Sequence, residues 1–154
     1  MASHHSTLPG LRLKVRGKCF TLDGVRSVIG DLDDWELQAL LEDGRLSWAI
    51  NIASESAAAR ELRIPACCLD DYEASRKRDY TVAEMVEYLF GPASLIRARP
   101  FYRALNFKHS HFYTLVQEKV IRLAKGCTHR RGPGGGAIVT RLDAVAFLTA
   151  RRVL

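Results

Sequence analysis

Two stretches near the C-terminus carry the residue types that contact phosphates or bases. One is "HRRGPGGGAIVTR", residues 129–141, in which two adjacent arginines precede a glycine-rich segment and an alternating apolar run. The other is "KHSHFYT", residues 108–114, which combines a lysine, two histidines and hydroxyl groups. Glycines beside basic residues occur in loops that cradle phosphate and also in the flexible tips of hairpins. These two alternatives place different demands on the neighbouring residues.

The glycine-rich stretch lacks the residues of a nucleotide-binding loop. Such a loop has the pattern G-x-x-x-x-G-K-[ST], in which the lysine and the hydroxyl group open a helix. Here "GPGGGAIVTR" has neither residue at that place and leads into a strand. We therefore predict a mobile hairpin tip with basic residues around it, suited to the phosphate backbone or the minor groove. The alternative is a solvated turn with incidental charge. The basic residues of this hairpin are Lys125, His129, Arg130, Arg131 and Arg141.

No group of residues predicts catalysis, and none predicts a metal or cofactor site. His109 and His111 are two positions apart, so on a helix their side chains face apart. Cys127 and His129 supply half of a zinc site, but no second half is visible. The four cysteines form no C-x-x-C pair, and we interpret them as reduced, small apolar side chains. We expect a protein that is not an enzyme.

Charge is distributed unevenly along the chain. The net charge is +6, but residues 1–79 hold 11 Lys+Arg against 13 Asp+Glu, a net of −2. Residues 80–154 hold the remaining 12 against 4, a net of +8. Such asymmetry indicates a nucleic acid or an acidic surface as the partner of the basic half. No apolar run reaches the roughly 20 residues of a membrane span, and no signal peptide is evident, so we expect a cytoplasmic protein without a membrane contact. Binding of DNA by the basic half would make it nucleoid-associated.

The hydrophobic periodicity predicts an α+β, mainly helical fold in which helix, helix, β-hairpin and helix occur twice. Thr21 and Thr81 are predicted N-caps of the first helix in each half. Asp33 is predicted to cap the second helix of the first half, and Ser110 that of the second half. The hairpins are predicted at residues 46–65 and 121–141. Residues 91–107 are predicted to be an insertion in the second half.

In the second half these segments resemble the excisionase-like branch of the MerR-type winged helix-turn-helix domains. The matching motifs are "TVAEMVEYL", "SHFYTLVQEKVI" and "RLDAVAFL", and a more diverged copy is visible in "LLEDGRLSWAIN" and "RELRI". Three features depart from the family pattern: Tyr113 lies one place early, Lys119 and Val120 replace the usual glycine before the hairpin, and 91–107 lengthens the first turn. The resemblance implies two tandem winged modules, residues 1–79 and 80–154.

The resemblance also implies binding of double-stranded DNA by the C-terminal module, in a regulatory, recombination or partition role. The expected contacts from the second helix are Lys108, His109, Ser110, His111, Tyr113 and Thr114. The acidic start of the second helix in the first half, "DLDDWEL", would repel phosphate. For that module we expect a homodimer contact or a protein partner, such as a recombinase or regulator. The alternative function is a protein–protein adaptor built on the winged fold. Trp35 and Trp48 are predicted to lie in the core.

Overall fold

The computed structural model describes residues 18–124 and 136–153. Lys125, His129, Arg130 and Arg131 of the predicted hairpin lie outside these residues. The helices are α1 Leu22–Ile29, α2 Asp34–Glu42, α3 Ala66–Glu73, α4 Val82–Phe90, α5 Ala98–Ala104, α6 His109–Gln117 and α7 Arg141–Arg151. The strands are β1 Cys19–Phe20, β2 Ile50–Asn51, β3 Leu62–Pro65, β4 Leu95–Arg97 and β5 Ile138–Thr140. The described part of the chain is thus α+β and largely helical, as predicted.

Side-chain caps explain where four of the helices begin. The hydroxyl of Thr21 accepts a hydrogen bond from the amide of Gly24 at the start of α1. Asp33 and Thr81 each form a capping box with the glutamate three residues later. Thr140 caps α7 through the amide of Asp143. Each cap satisfies an amide that the first helical turn leaves free, and the helix starts predicted at Thr21, Asp33 and Thr81 are confirmed.

The strands form two small antiparallel sheets. In the first sheet β3 lies between β1 and β2. In the second sheet β5 pairs with β4, with Ile96 opposite Val139. We predicted that β5 would pair with a strand at 121–123, but among the described residues this side has one backbone hydrogen bond, from Ala124 N to Ile138 O at 2.7 Å. Residues 91–107, predicted to be an insertion, therefore supply both β4 and α5.

The same order of elements occurs twice, with a spacing of 75 to 76 residues. The run β1–α1–α2–β2–β3–α3 corresponds to β4–α5–α6, the segment ending at Ala124, β5 and α7. Helices α1 and α5 begin 76 residues apart (98 − 22), and α3 and α7 begin 75 apart (141 − 66). From the sequence we predicted that the helix after Thr81 is the counterpart of the helix after Thr21, 60 residues earlier (81 − 21). Helix α4, which Thr81 caps, instead precedes the second copy and has no counterpart among the described residues.

Hydrogen bonds and backbone angles support this alignment. The amide of Leu46 binds the carbonyl of Leu40, and in the same way the amide of Ile121 binds the carbonyl of Leu115. Each of the helices α1, α2, α5 and α6 is followed by a residue with positive φ, at which the chain reverses. These residues are Gly30 (φ 102°) and Gly44 (φ 79°) in the first copy, and Asn106 (φ 59°) and Lys119 (φ 63°) in the second. Lys119 therefore adopts the left-handed conformation at the place where the sequence lacks the expected glycine, at a cost of roughly 1–2 kcal/mol for a non-glycine residue.

One continuous hydrophobic core runs through both halves. Phe101 of α5 is fully buried and stacks on Phe90 with ring centroids 4.7 Å apart. Its ring also meets Phe112 of α6 and Phe147 of α7 edge to face. Helix α5 is therefore the centre of the C-terminal core rather than an appendage.

The two tryptophans differ in their environments. Trp48 is fully buried, as predicted, and its indole nitrogen donates to the carbonyl of Tyr80 at 2.9 Å. Trp35 is 76% exposed, so its predicted place in the core is wrong. The buried face of α2 is formed by Leu37, Leu40 and Leu41. Trp35 lies two positions before Leu37, about 200° around the helix from it, and therefore faces solvent.

The end of α7 fastens the second half to the first. The guanidinium of Arg151 donates to the carbonyl of Ala53 at 2.9 Å and pairs with Glu55. The Arg152 guanidinium lies 4.0 Å from the centroid of the Trp48 ring and pairs with Asp79 at 3.0 Å. These contacts hold the two copies in one body. Within the described ranges, none of the helices is long and apolar enough to cross a membrane.

Candidate nucleic-acid interface

Helices α5 and α6 are joined by a short turn, residues 105–108. Asn106 reverses the chain, and the amide of Phe107 returns to the carbonyl of Tyr102 at 3.0 Å. Helix α6 begins at His109, with Lys108 as the N-cap residue. The prediction that Ser110 caps this helix is wrong, because Ser110 lies inside the first turn. The Lys108 side chain does not cap the helix, so the positive end of the helix dipole adds to the charge of this lysine.

Three predicted contact residues of α6 are exposed. Lys108, Ser110 and Thr114 all face solvent. Ser110 and Thr114 are four positions apart and therefore lie on one face, where the Thr114 hydroxyl donates to the carbonyl of Ser110 at 3.1 Å. Hydroxyl groups on this face can meet base edges or phosphate oxygens.

The other three predicted residues of α6 are half-buried and held by neighbours. His109 lies edge to face with Tyr113, with ring centroids 5.4 Å apart. His111 contacts the first half, because its Nε2 is hydrogen-bonded to the carbonyl of Ile52. The structure thus assigns His109 and Tyr113 to the flank of the exposed face, and His111 to the junction between the halves.

Arg141 lies at the start of α7 and contacts the end of α4. Its guanidinium donates to the carbonyl of Gly91 at 2.8 Å and approaches Glu87 at 3.9 Å. These contacts fix the side chain against the end of α4.

An open groove of about 960 Å³ runs beside the start of α6. The second half supplies most of its lining, and Arg99 and Arg103 of α5 join the predicted residues of α6 there. These two arginines were not predicted as contacts, although their spacing of four places them on one helical face. Glu61 is the one acidic residue lining the groove within the described ranges, and its carboxylate pairs with Arg63 at 3.0 Å. The full lining is Thr21, Glu61, Arg63, Arg99, Tyr102, Arg103, Asn106, Phe107, Lys108, His109, Ser110 and His111.

Among the described residues, the exposed basic residues of α5, α6 and their flanks lack the ion pairs that several basic residues of the first half form. In the first half, Arg26 pairs with Asp34 at 2.6 Å and Arg45 pairs with Asp43 at 2.8 Å. Around α5 and α6, the exposed basic side chains form no ion pair with any described acidic residue. They are Arg97, Arg99, Arg103, Lys108, Lys119 and Arg122. The described part of the C-terminal half therefore presents uncompensated positive charge on α5, α6 and their flanks.

The first half braces the turn and the far end of α6. The buried guanidinium of Arg63 donates to the carbonyl of Asn106 at 3.0 Å, and the Asn106 amide donates to the carbonyl of Cys19 at 3.1 Å. At the other end, the carboxylate of Glu118 accepts from the Ser54 hydroxyl and from the amide of Glu55. These two hydrogen bonds, led by that from Ser54, lower the pKa of Glu118 below its ordinary value. The helix is thus held from both ends by the first copy.

A comparison of the chain with protein-family models, characterised proteins and solved structures finds no match.

Proposed function

We propose that the chain binds double-stranded DNA through α6 and the basic residues around it. The observation that carries the proposal is the set of unpaired cationic side chains that surrounds an exposed helix start. Cations held next to an acidic partner gain little from phosphate, whereas unpaired cations release condensed counterions when they meet it. The charge of the C-terminal half is therefore available for a polyanion.

The division of labour follows from the geometry of the helix pair. Ser110 and Thr114 lie on the exposed face of α6, which is suited to the major groove. Arg99 and Arg103 lie on α5 and line the protein groove beside the start of α6, where they are suited to the phosphate backbone of the DNA. Lys108 stands at the positive end of α6, where a phosphate is favoured by the helix dipole as well as by the side chain.

The order of elements supports a winged helix-turn-helix for the C-terminal module. In this proposal α4, β4, α5 and α6 are followed by the chain that returns as β5. The basic residues predicted for a wing, Lys125, His129, Arg130 and Arg131, lie outside the described residues and are proposed as further phosphate contacts. The first copy has the same order from β1 onward, so we extend the proposal to two tandem modules. The binding is either sequence-specific or architectural, in transcription, recombination or partition, and would associate the protein with the nucleoid.

A protein-adaptor function is the second candidate, and the exposure of Trp35 favours it. An exposed tryptophan beside Asp33, Asp34 and Glu36 is suited to a protein partner and unsuited to phosphate. DNA binding by the C-terminal half and protein binding by the N-terminal half are compatible, because the two surfaces are formed by different helices.

The test of DNA binding is a fluorescence-anisotropy titration of the full chain with a mixed-sequence duplex. We expect affinity to fall by orders of magnitude between about 50 and about 200 mM salt, as it does for proteins that neutralise several phosphates. Ser110→Glu places a negative charge on the exposed face of α6 and should weaken binding at least about tenfold. Ser27→Glu adds the same charge to α1 in the acidic half and serves as the control. If the unaltered chain does not bind duplex at low salt, the proposal fails.

A further inference from the structure

The start of α2 presents an exposed aromatic side chain within an acidic surface. Trp35 is 76% exposed, and Asp33, Asp34 and Glu36 beside it all face solvent. Asp33 and Glu36 exchange hydrogen bonds in the capping box, which fixes the backbone that carries the indole. A large apolar side chain on a rigid turn is the usual centre of a protein contact. The negative charge around it requires a positively charged partner surface.

The internal repeat relates this turn to the start of α6. With the 75-residue spacing, the buried Leu37 of α2 corresponds to the buried Phe112 of α6 (112 − 37). Trp35 then corresponds to Ser110, the exposed residue of the proposed DNA-binding turn. The flanking positions change from acidic to basic or ionisable: Asp33 becomes Lys108, Asp34 becomes His109, and Glu36 becomes His111. The two turns are therefore complementary in charge.

The groove beside α6 has the chemistry that would accept a tryptophan from an acidic turn. Its lining includes the aromatic rings of Tyr102 and Phe107, which pack with centroids 6.5 Å apart. Arg99, Arg103 and Lys108 line the same groove. Guanidinium and ammonium groups attract the face of an indole ring and also pair with carboxylates.

We propose that the chain associates with a second copy of itself head to tail, with Trp35 of one copy seated in the basic groove of the next. The acidic residues beside Trp35 pair with the cations that line that groove. Because the contact covers the start of α6, DNA and the second copy compete for one surface. The competition rests on the proposed DNA binding, whereas the self-association does not.

Such a contact joins two different surfaces, so an open complex leaves one groove and one Trp35 unoccupied. Head-to-tail contacts of this kind form open chains unless the rotation closes a ring. The association should also weaken as salt screens the charges, because the Debye length falls from about 10 Å at 0.1 M to about 3 Å at 1 M.

The decisive experiment is sedimentation velocity on two variants, each alone and then mixed. Trp35→Ala removes the inserted side chain and leaves the groove. Arg99→Glu/Arg103→Glu reverses the groove charge and leaves Trp35. Each variant alone should be monomeric at low salt, and Trp35→Ala should weaken self-association about 30-fold or more, as expected for a central interface residue. The mixture should form a 1:1 dimer and nothing larger, since it contains one intact pair of surfaces.

Two controls address folding and nonspecific effects. Leu142→Ala truncates an apolar side chain that is 83% exposed on α7 and should leave the association unchanged. Lys77→Glu/Arg78→Glu reverses two exposed cations outside the groove and should also leave it unchanged. A monomeric wild type at low salt overturns the proposal, as does a mixture of folded variants that remains monomeric.

A separate measurement distinguishes this proposal from that of DNA binding. Short duplex DNA is titrated into the associated wild type while sedimentation is followed. Dissociation by DNA supports competition at α6. Complexes that bind DNA and stay associated overturn the shared surface, and association without any DNA binding refutes the proposed function but not the self-association.

Discussion

Replacing the three cations beside the start of α6 should change the salt dependence of DNA binding by a calculable amount. The variant is Arg99→Ala/Arg103→Ala/Lys108→Ala. All three side chains are exposed, line one groove and have no ion-pair partner among the described residues. Their removal should therefore affect phosphate contacts without breaking a salt bridge of the described fold.

The magnitude follows from counterion release. Each phosphate contact contributes about 0.9 to the slope of log affinity against log salt, so three contacts contribute about 2.7. Between about 50 and about 200 mM salt, a fourfold change, this term corresponds to about a 40-fold loss of affinity that the variant no longer shows. The wild type should thus have a slope steeper than that of the variant by about 2.7.

The assay is fluorescence anisotropy with one labelled duplex at several salt concentrations, and circular dichroism serves as the folding check. Lys77→Ala/Arg78→Ala removes exposed cations outside the groove and should leave the slope unchanged. A folded triple variant whose slope equals that of the wild type would refute the reasoning, because it would mean that these cations do not meet phosphate.

Three further outcomes follow from the described contacts. Phe101→Ala should lower the free energy of unfolding by about 3–5 kcal/mol in urea titrations, as for other buried aromatic residues, and a loss below about 1 kcal/mol would contradict the central place of α5. Of the described cysteines, Cys67 should react first with a maleimide, as followed by peptide mapping. Cys67 is partly exposed, and hydrogen bonds from the Cys68 thiol and then from Tyr80 lower its pKa, whereas burial raises the pKa of Cys19. Faster labelling of Cys19 would contradict this. Hydrogen bonds from the loop after β2 lower the pKa of Glu118, so its stabilisation is present above the ordinary carboxyl pKa and is lost as pH falls through the lowered value. Glu118→Gln should therefore lower the Tm at neutral pH, and the difference from wild type should shrink below about pH 4; a difference independent of pH would count against this account.

The helices were predictable because their signals are local. Thr21, Asp33, Thr81 and Thr140 act within one turn, and the apolar spacing that follows each cap is visible in the sequence. The N-cap of α6 was predicted too late in the chain, at Ser110. Serine is a good capping residue, but it also occurs inside a first helical turn, and here the helix already begins at His109 with Lys108 as the N-cap residue.

Strand pairing was harder to predict because it depends on contacts distant in sequence. Residues 95–97 form a strand of three residues that does not alternate strongly, and its partner lies some forty positions away. Because the pairing of β4 with β5 was not recognised, residues 91–107 were interpreted as an insertion, and the helix after Thr81 was predicted to be the first helix of the second half. The groove was missed for the same reason, since Arg99 and Arg103 can be assigned to the site only when α5 is known to precede α6 in one helix pair.

The fastening of α7 to the first half has a consequence during synthesis. The carbonyl of Ala53 is separated by 98 residues from its partner Arg151, and Ile50 of the edge strand β2 bridges to Arg152. At a translation rate of about 5–20 residues per second, the edge of β2 stays unpaired for roughly 5–20 s before the end of α7 is synthesised. An unpaired strand edge is a template for pairing with other chains. The nascent protein is therefore most exposed to misassembly on the ribosome after its first half has been made, and the last turn of α7 ends that interval.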